Sequence, residues 1–215
     1  MREVLALILG YLLGSIPTAY LIARWQSGQD IRSRGVNIGG LTIFRQFSAR
    51  AGVMTIFIDL AKGALPVIVA FYLLKPGLAF VLLAGLAAIA GHNWMVWLRF
   101  KGGHGVATAF GALIPSMILY GYIAPLSIEL AIVIVLLVIT RNVALSSGVA
   151  FLLLPFIIWW ASKSELATIL AILLFLLVPG RFVLSNWKRL KDPETRRNLI
   201  IDHWRRPDGK GIGKA

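Results

Sequence analysis

Lys101-Gly-Gly-His-Gly105 places a cation, an imidazole and three glycines in five consecutive residues, between two strongly apolar stretches. A simple turn needs one glycine; three let the backbone bring several N–H groups close to one ligand atom. The segment leads directly into an apolar run from Val106, so a helix start, with its unpaired amides and partial positive charge, follows it. That combination suits a phosphate, to which Lys101 and His104 add side-chain donors. A second stretch, IRSRGVNIGGLTIFRQ (Ile31–Gln46), has the same character. There Arg45 offers two parallel hydrogen bonds to a phosphate, and Asn37 an amide donor. Glycine turns and basic residues also serve short membrane loops that bind nothing, and one such loop would argue for structure alone. Two of them shift the balance towards a site for phosphorylated ligands. Neither is a Walker A loop, since no G-x-x-x-x-G-K-[ST] occurs.

Other polar residues are few. Asp59 and Lys62 are spaced i, i+3 within an apolar run, on one helical face, which predicts a structural ion pair; contact with substrate is the sharper alternative. His92, beside Asn93 and Trp94, is expected to be an interfacial hydrogen-bonding residue. Metal binding is not expected: the histidines are His92, His104 and His203, and no carboxylate has ligand spacing to them. The absence of cysteine removes thiolate chemistry. Ser146 and Ser147 have no evident partner base, and Glu129, expected near the outer surface, is given no role. An enzyme built from this inventory works by positioning and electrostatics, not through a covalent nucleophile.

The elements that must position these residues are membrane helices. Hydrophobic residues make up 58% of the 215, charged residues 14% against about 25% in soluble domains, and mean hydropathy is +0.80. Apolar runs cover 4–23, 53–74, 78–98, 106–139, 143–161 and 166–184. The first is too long for a signal-peptide core and has no small-x-small cleavage site after it, so it is expected to be a retained span. The fourth would be about 51 Å long as one helix against a core of about 30 Å, so it is expected to divide at Tyr120–Pro125. The fold class expected is therefore all-α integral membrane, with seven transmembrane helices. Placing the N-terminus outside puts Arg24, Arg32, Arg34, Arg45, Arg50, Arg99, Lys101, Arg141 and the ten basic residues from Arg181 to Lys214 in the cytoplasm, 18 of the 22 lysines and arginines. Both glycine-rich loops then face the cytoplasm. Residues 1–190 form the membrane domain and 191–215 a basic tail, in which Leu199, Ile200, His203 and Trp204 share one face of an interfacial helix. The terminal GKGIGKA imitates a phosphate loop but has no helix after it.

At these loops the sequence resembles the bacterial membrane glycerol-3-phosphate acyltransferases that use acyl phosphate as donor. The match G-H-x-x-x-x-x-x-x-F-K-G-G-x-G-V-A-T-A-x-G runs from Gly91 to Gly111, and D-L-A-K-G (Asp59–Gly63) matches that family's second span. The resemblance implies transfer of a fatty acyl group to the 1-hydroxyl of glycerol 3-phosphate, giving lysophosphatidate at the inner leaflet of the bacterial plasma membrane. It implies no cofactor, metal or coenzyme A, no protein base and no nucleic-acid partner; the partners are acyl phosphate, glycerol 3-phosphate and membrane lipid. Carried over, His104, Arg45 and Asn37 are the expected catalytic residues. Gly39, Lys101, Gly102, Gly103, Gly105, Thr108 and Asn186 are the expected substrate-binding residues.

Several signature positions depart from the pattern. The family's first loop reads G-S-G-N-x-G-x-T-N-x-x-R; here GVNIGGLTIFR is one residue shorter, has Val36 for serine and Leu41-Thr42 for the T-N pair. His104 replaces the second lysine of K-G-G-K-G, Ala144 a corner serine and Val183 the histidine of the closing H-R-x-N-I motif, of which Asn186 remains. Three readings stay open on the sequence: a working acyltransferase with a rearranged pocket, a relative with a changed acceptor, and a non-catalytic paralogue binding lipid or a partner. A transporter, the reading from another class, would carry paired repeats or broken helices at the midplane, whereas these polar features gather at one surface.

Overall fold

The computed structural model describes residues 1–28, 30 and 37–191, with the backbone alone at 188–190. The expectations for Val36 and for the basic tail after Lys191 lie outside the described residues. Among those described, all regular structure is helical. The chain forms two compact units, 1–121 and 122–215.

The first unit holds α1 (Arg2–Gly14), α2 (Thr18–Ser27), α3 (Gly40–Gln46), α4 (Ala49–Val69), α5 (Leu78–Asn93) and α6 (Val106–Leu119). The run predicted as one span over 4–23 is broken between α1 and α2. Pro17 has no N–H, and its φ of −85° and ψ of 63° with a Thr18 N–H to Ile16 carbonyl bond of 2.9 Å make an inverse γ-turn. Ser48 caps α4 by accepting from the Ala51 amide at 3.1 Å. The last turn of that helix widens to a π turn over Ala70–Leu74, closed by Lys75 N–H to the Ala70 carbonyl at 2.7 Å. α1 packs along α5, and α4 along α6. The second contact is backbone to backbone: a Cβ on Gly63 would run into the Thr108 carbonyl, and one on Gly111 into that of Leu60. Small residues bring membrane helices this close because lipid tails give apolar side chains no reason to prefer each other.

The second unit holds α7 (Ile123–Thr140), α8 (Val143–Ser162), α9 (Glu165–Phe175) and α10 (Arg181–Leu190), with a π turn over Leu176–Gly180. Asn142 caps α8 through the Leu145 amide at 3.0 Å, and Ser164 caps α9 through the Ala167 amide at 3.3 Å. Glu129, for which no role was expected, is fully buried on α7.

The long apolar run does divide where expected, α6 ending at Leu119 and α7 beginning at Ile123. Among the described residues, six helical stretches are long and apolar enough to cross a membrane: Arg2–Ser27, Ala49–Leu74, Leu78–Leu98, Ile123–Thr140, Val143–Ser162 and Glu165–Trp187. α6 is a shorter apolar helix of 14 residues, about 21 Å long. Large apolar side chains such as Leu73, Val138 and Phe156 stand outward at 69–74% exposure. In water such a surface would aggregate; in a multi-pass membrane protein it faces lipid.

Candidate functional site

The two glycine-rich segments meet. Between α5 and α6 the chain makes a short 3₁₀ turn (Val96–Leu98), passes through left-handed backbone at Arg99 and Phe100, then descends through Lys101–Gly105. Gly103 lies so near residues 37–39 that a Cβ there would be 2.6 Å from the Ile38 carbonyl oxygen. An apolar cluster holds both segments: Ile38 and Ile43 with Ala19, Ile22 and Ala23 of α2, Ala51 of α4, and Met95 and Leu98 of the turn. Burying this set excludes water and fixes which backbones touch.

Gly105 caps α6 at a φ of +74°, where a Cβ would approach Asn93 Oδ1 to 2.6 Å, so both its backbone angle and its space require glycine. The Lys101 amide donates to the Leu98 carbonyl at 3.2 Å and that of Gly103 to the His92 carbonyl at 3.1 Å. The first closes the turn at Arg99 and Phe100 that follows the 3₁₀ turn, and the second pins the segment to the end of α5.

The expected site residues fall as follows. Asn37 is exposed, its amide beside Gly39, which is the N-cap of α3 in extended backbone. Arg45 sits half-buried in the last turn of α3. Lys101 is exposed, Gly102 and His104 partly so, Gly103 and Gly105 buried. Thr108 is fully buried, its hydroxyl 3.1 Å from His92 Nδ1. Asn186 belongs to the second unit, on α10, where its amide donates to the Phe182 carbonyl at 2.9 Å. Asp59 and Lys62 form the predicted pair at 2.8 Å, both buried.

Sequence reasoning missed the burial of His92. It is a hydrogen-bonding residue, as expected, but a buried one, its Nδ1 3.1 Å from Thr108 Oγ1 and 3.9 Å from Asp59 Oδ1. The adjacent Asn93 is buried with it. Ser146 donates to the Asn142 carbonyl at 2.8 Å and contacts Thr140 Oγ1 at 3.2 Å, with no base beside it in these bonds. Among the described residues no cluster of His, Asp and Glu has the form of a metal site.

The glycerol-3-phosphate acyltransferase family matches residues 4–192. The chain belongs to that family. Glycerol-3-phosphate acyltransferase 1 of Dehalococcoides mccartyi is 51% identical over 205 residues, covering 95% of this chain and 99% of that protein. The glycerol-3-phosphate acyltransferase of Geotalea daltonii is 41% identical over 179 residues, covering 82% and 88%. The fold is similar to that of PlsY (YgiH), an integral membrane glycerol 3-phosphate acyltransferase, in its glycerol 3-phosphate form: TM-score 0.76, 28% identity, 89% of this chain and 92% of that one. The lysophosphatidic acid form of the same protein gives a TM-score of 0.74 at 26% identity. This chain is thus a membrane acyltransferase.

Proposed function

We propose that the protein transfers a fatty acyl group from acyl phosphate to the 1-hydroxyl of glycerol 3-phosphate, releasing lysophosphatidate and inorganic phosphate for phospholipid synthesis. The observation that carries the reading is the contact of the two basic glycine segments at Gly103 and Ile38. Arg45, Asn37, Gly39, Lys101 and His104 supply the donors around it. The Lys101 and Gly103 amides are already used internally, so the ligand takes the other amides of the turn and the start of α6. The imidazole of His104 offers a ring N–H to a phosphate held there, at the position where the family carries a lysine. Asn186 is assigned to substrate on its motif alone.

The chemistry asks little of the protein. The acceptor hydroxyl attacks the acyl carbonyl, the bond from carbon to the phosphate oxygen breaks, and the hydroxyl proton leaves with phosphate. Arg45 and the turn hold the reactants close and stabilise the charge that builds on the carbonyl oxygen and leaving phosphate. Neither a protein base nor a cofactor is required.

Seven spans with the N-terminus outside, α6 being the short one, put both loops in the cytoplasm, where glycerol 3-phosphate is soluble and product enters the inner leaflet. What supports this is the placement of 18 of 22 lysines and arginines; with six spans Arg141 and the basic tail would face outward. Residues 1–190 are the catalytic domain in this reading, and 191–215 a basic tail at the lipid surface. The test is product formation by purified protein in lipid, given palmitoyl phosphate and glycerol 3-phosphate. Folded protein making no lysophosphatidate above a protein-free control would turn the reading to a non-catalytic paralogue.

A further inference from the structure

Beneath the glycine turn lies a line of four buried polar side chains, among them Thr108, which was expected to bind substrate but whose hydroxyl meets His92. Lys62 donates to the Ile16 carbonyl at 3.0 Å and pairs with Asp59 at 2.8 Å. Asp59 Oδ1 is 3.9 Å from His92 Nδ1, and that nitrogen is 3.1 Å from Thr108 Oγ1. His92 then meets the turn twice. Its carbonyl accepts the Gly103 N–H at 3.1 Å, and its Nε2 faces the Gly103 Cα so closely that a Cβ has no room. All four residues are at most 4% exposed.

The line joins two irregular backbone points. At one end is the γ-turn at Pro17, where helix hydrogen bonding is interrupted and the Ile16 carbonyl, which accepts the Thr18 N–H, takes Lys62 as a second donor. At the other is the turn of 101–105. α4 supplies Asp59 and Lys62, α5 His92 and α6 Thr108, so the array cross-links the helices that carry both glycine segments. Apolar residues of like volume would fill this space at a smaller desolvation cost. What this polar array adds is a single arrangement: Lys62 holds Asp59 and the Ile16 carbonyl, Thr108 holds His92, the two pairs face each other at 3.9 Å, and slippage leaves an unpaired group in a dry interior.

We propose that Lys62, Asp59, His92 and Thr108 are positioning residues. They set the conformation of the Lys101–Gly105 turn, and through it the affinity for the phosphate of the acceptor, without touching substrate themselves. This deepens the functional reading and rests on it for the identity of the ligand; the shape of the turn is tested independently of any ligand.

The experiment uses the full-length protein in lipid nanodiscs, with hydrogen–deuterium exchange over residues 99–106 and separate KM values for glycerol 3-phosphate and palmitoyl phosphate. Thr108→Val removes one hydrogen bond without changing volume, and Asp59→Asn with Lys62→Met removes the charges together. For both, the melting temperature is expected to stay near wild type and exchange over 99–106 to quicken about tenfold. KM for glycerol 3-phosphate should rise roughly fivefold, as expected for one hydrogen bond, while that for palmitoyl phosphate stays within about twofold. Thr108→Ser should restore both values. Unchanged exchange and unchanged KM in both variants would overturn the proposal, as would both KM values rising together with a fall in melting temperature, the pattern of a general scaffold. Quickened exchange in both variants, with a wild type that makes no lysophosphatidate, would uphold the array and overturn the acceptor assignment instead.

Discussion

The backbone of Gly103 touches that of Ile38: a side chain begun at Gly103 would place its first carbon 2.6 Å from the Ile38 carbonyl oxygen. Its other neighbour is the His92 ring. Gly103→Ala therefore cannot be absorbed by a rotamer change and has to move one of the two backbones. KM for glycerol 3-phosphate is expected to rise at least about tenfold, the effect of misplacing donors by a fraction of an ångström. Gly148→Ala, on α8 with no atom within 4 Å of the added carbon, is the control and leaves activity unchanged.

Arg45 and Lys75 separate the proposed site from charge in general. Lys75 is exposed at the turn after α4, whereas Arg45 ends α3 beside the loops. A charge-assisted bond is worth about 1.5–3 kcal/mol, so Arg45→Ala should raise KM for glycerol 3-phosphate roughly ten- to hundredfold. Lys75→Ala should change it less than about twofold. Steady-state kinetics of the two variants side by side decides the matter, and equal effects would remove the phosphate site.

Asp59 and Lys62 are buried partners, so removing one leaves the other's charge without compensation. Asp59→Ala is expected to cost about 3–5 kcal/mol and to show as loss of folded protein from the membrane, measured by detergent-solubilised size exclusion and melting temperature. The neutral double variant Asp59→Asn/Lys62→Met should recover most of the folded yield.

Much of this was legible in the sequence because it is local. The i, i+3 spacing of Asp59 and Lys62 determines a shared helix face wherever the helix goes, and the pair is found at 2.8 Å. The division at Tyr120–Pro125 followed from bilayer thickness against helix rise. The break at Ser15–Pro17 was not seen, since an apolar run of spanning length gives the same hydropathy whether straight or turned; only the proline marked it. Its stabilising contact, Lys62 to the Ile16 carbonyl across 46 residues, is tertiary and has no local signature. The burial of His92 was missed for the same reason. Cover at a span end depends on which helices pack there, and here α6 supplies it through Thr108.

The glycine loops were read as ligand-shaped from composition, but their contact was an inference from topology. Facing one side of the membrane does not bring two segments together. The apolar cluster of Ile38, Ile43, Met95 and Leu98 does that, and its members lie in short irregular pieces whose burial no periodicity announces.

The most direct measurement is acyl transfer itself: purified protein in lipid, palmitoyl phosphate and radiolabelled glycerol 3-phosphate, with lipid products separated and phosphate release counted. The account predicts lysophosphatidate and inorganic phosphate in equal amounts, without added metal or coenzyme A, and strongly reduced in Arg45→Ala. Folded protein that yields no labelled lipid, or yields it equally well with Arg45 replaced, would contradict it.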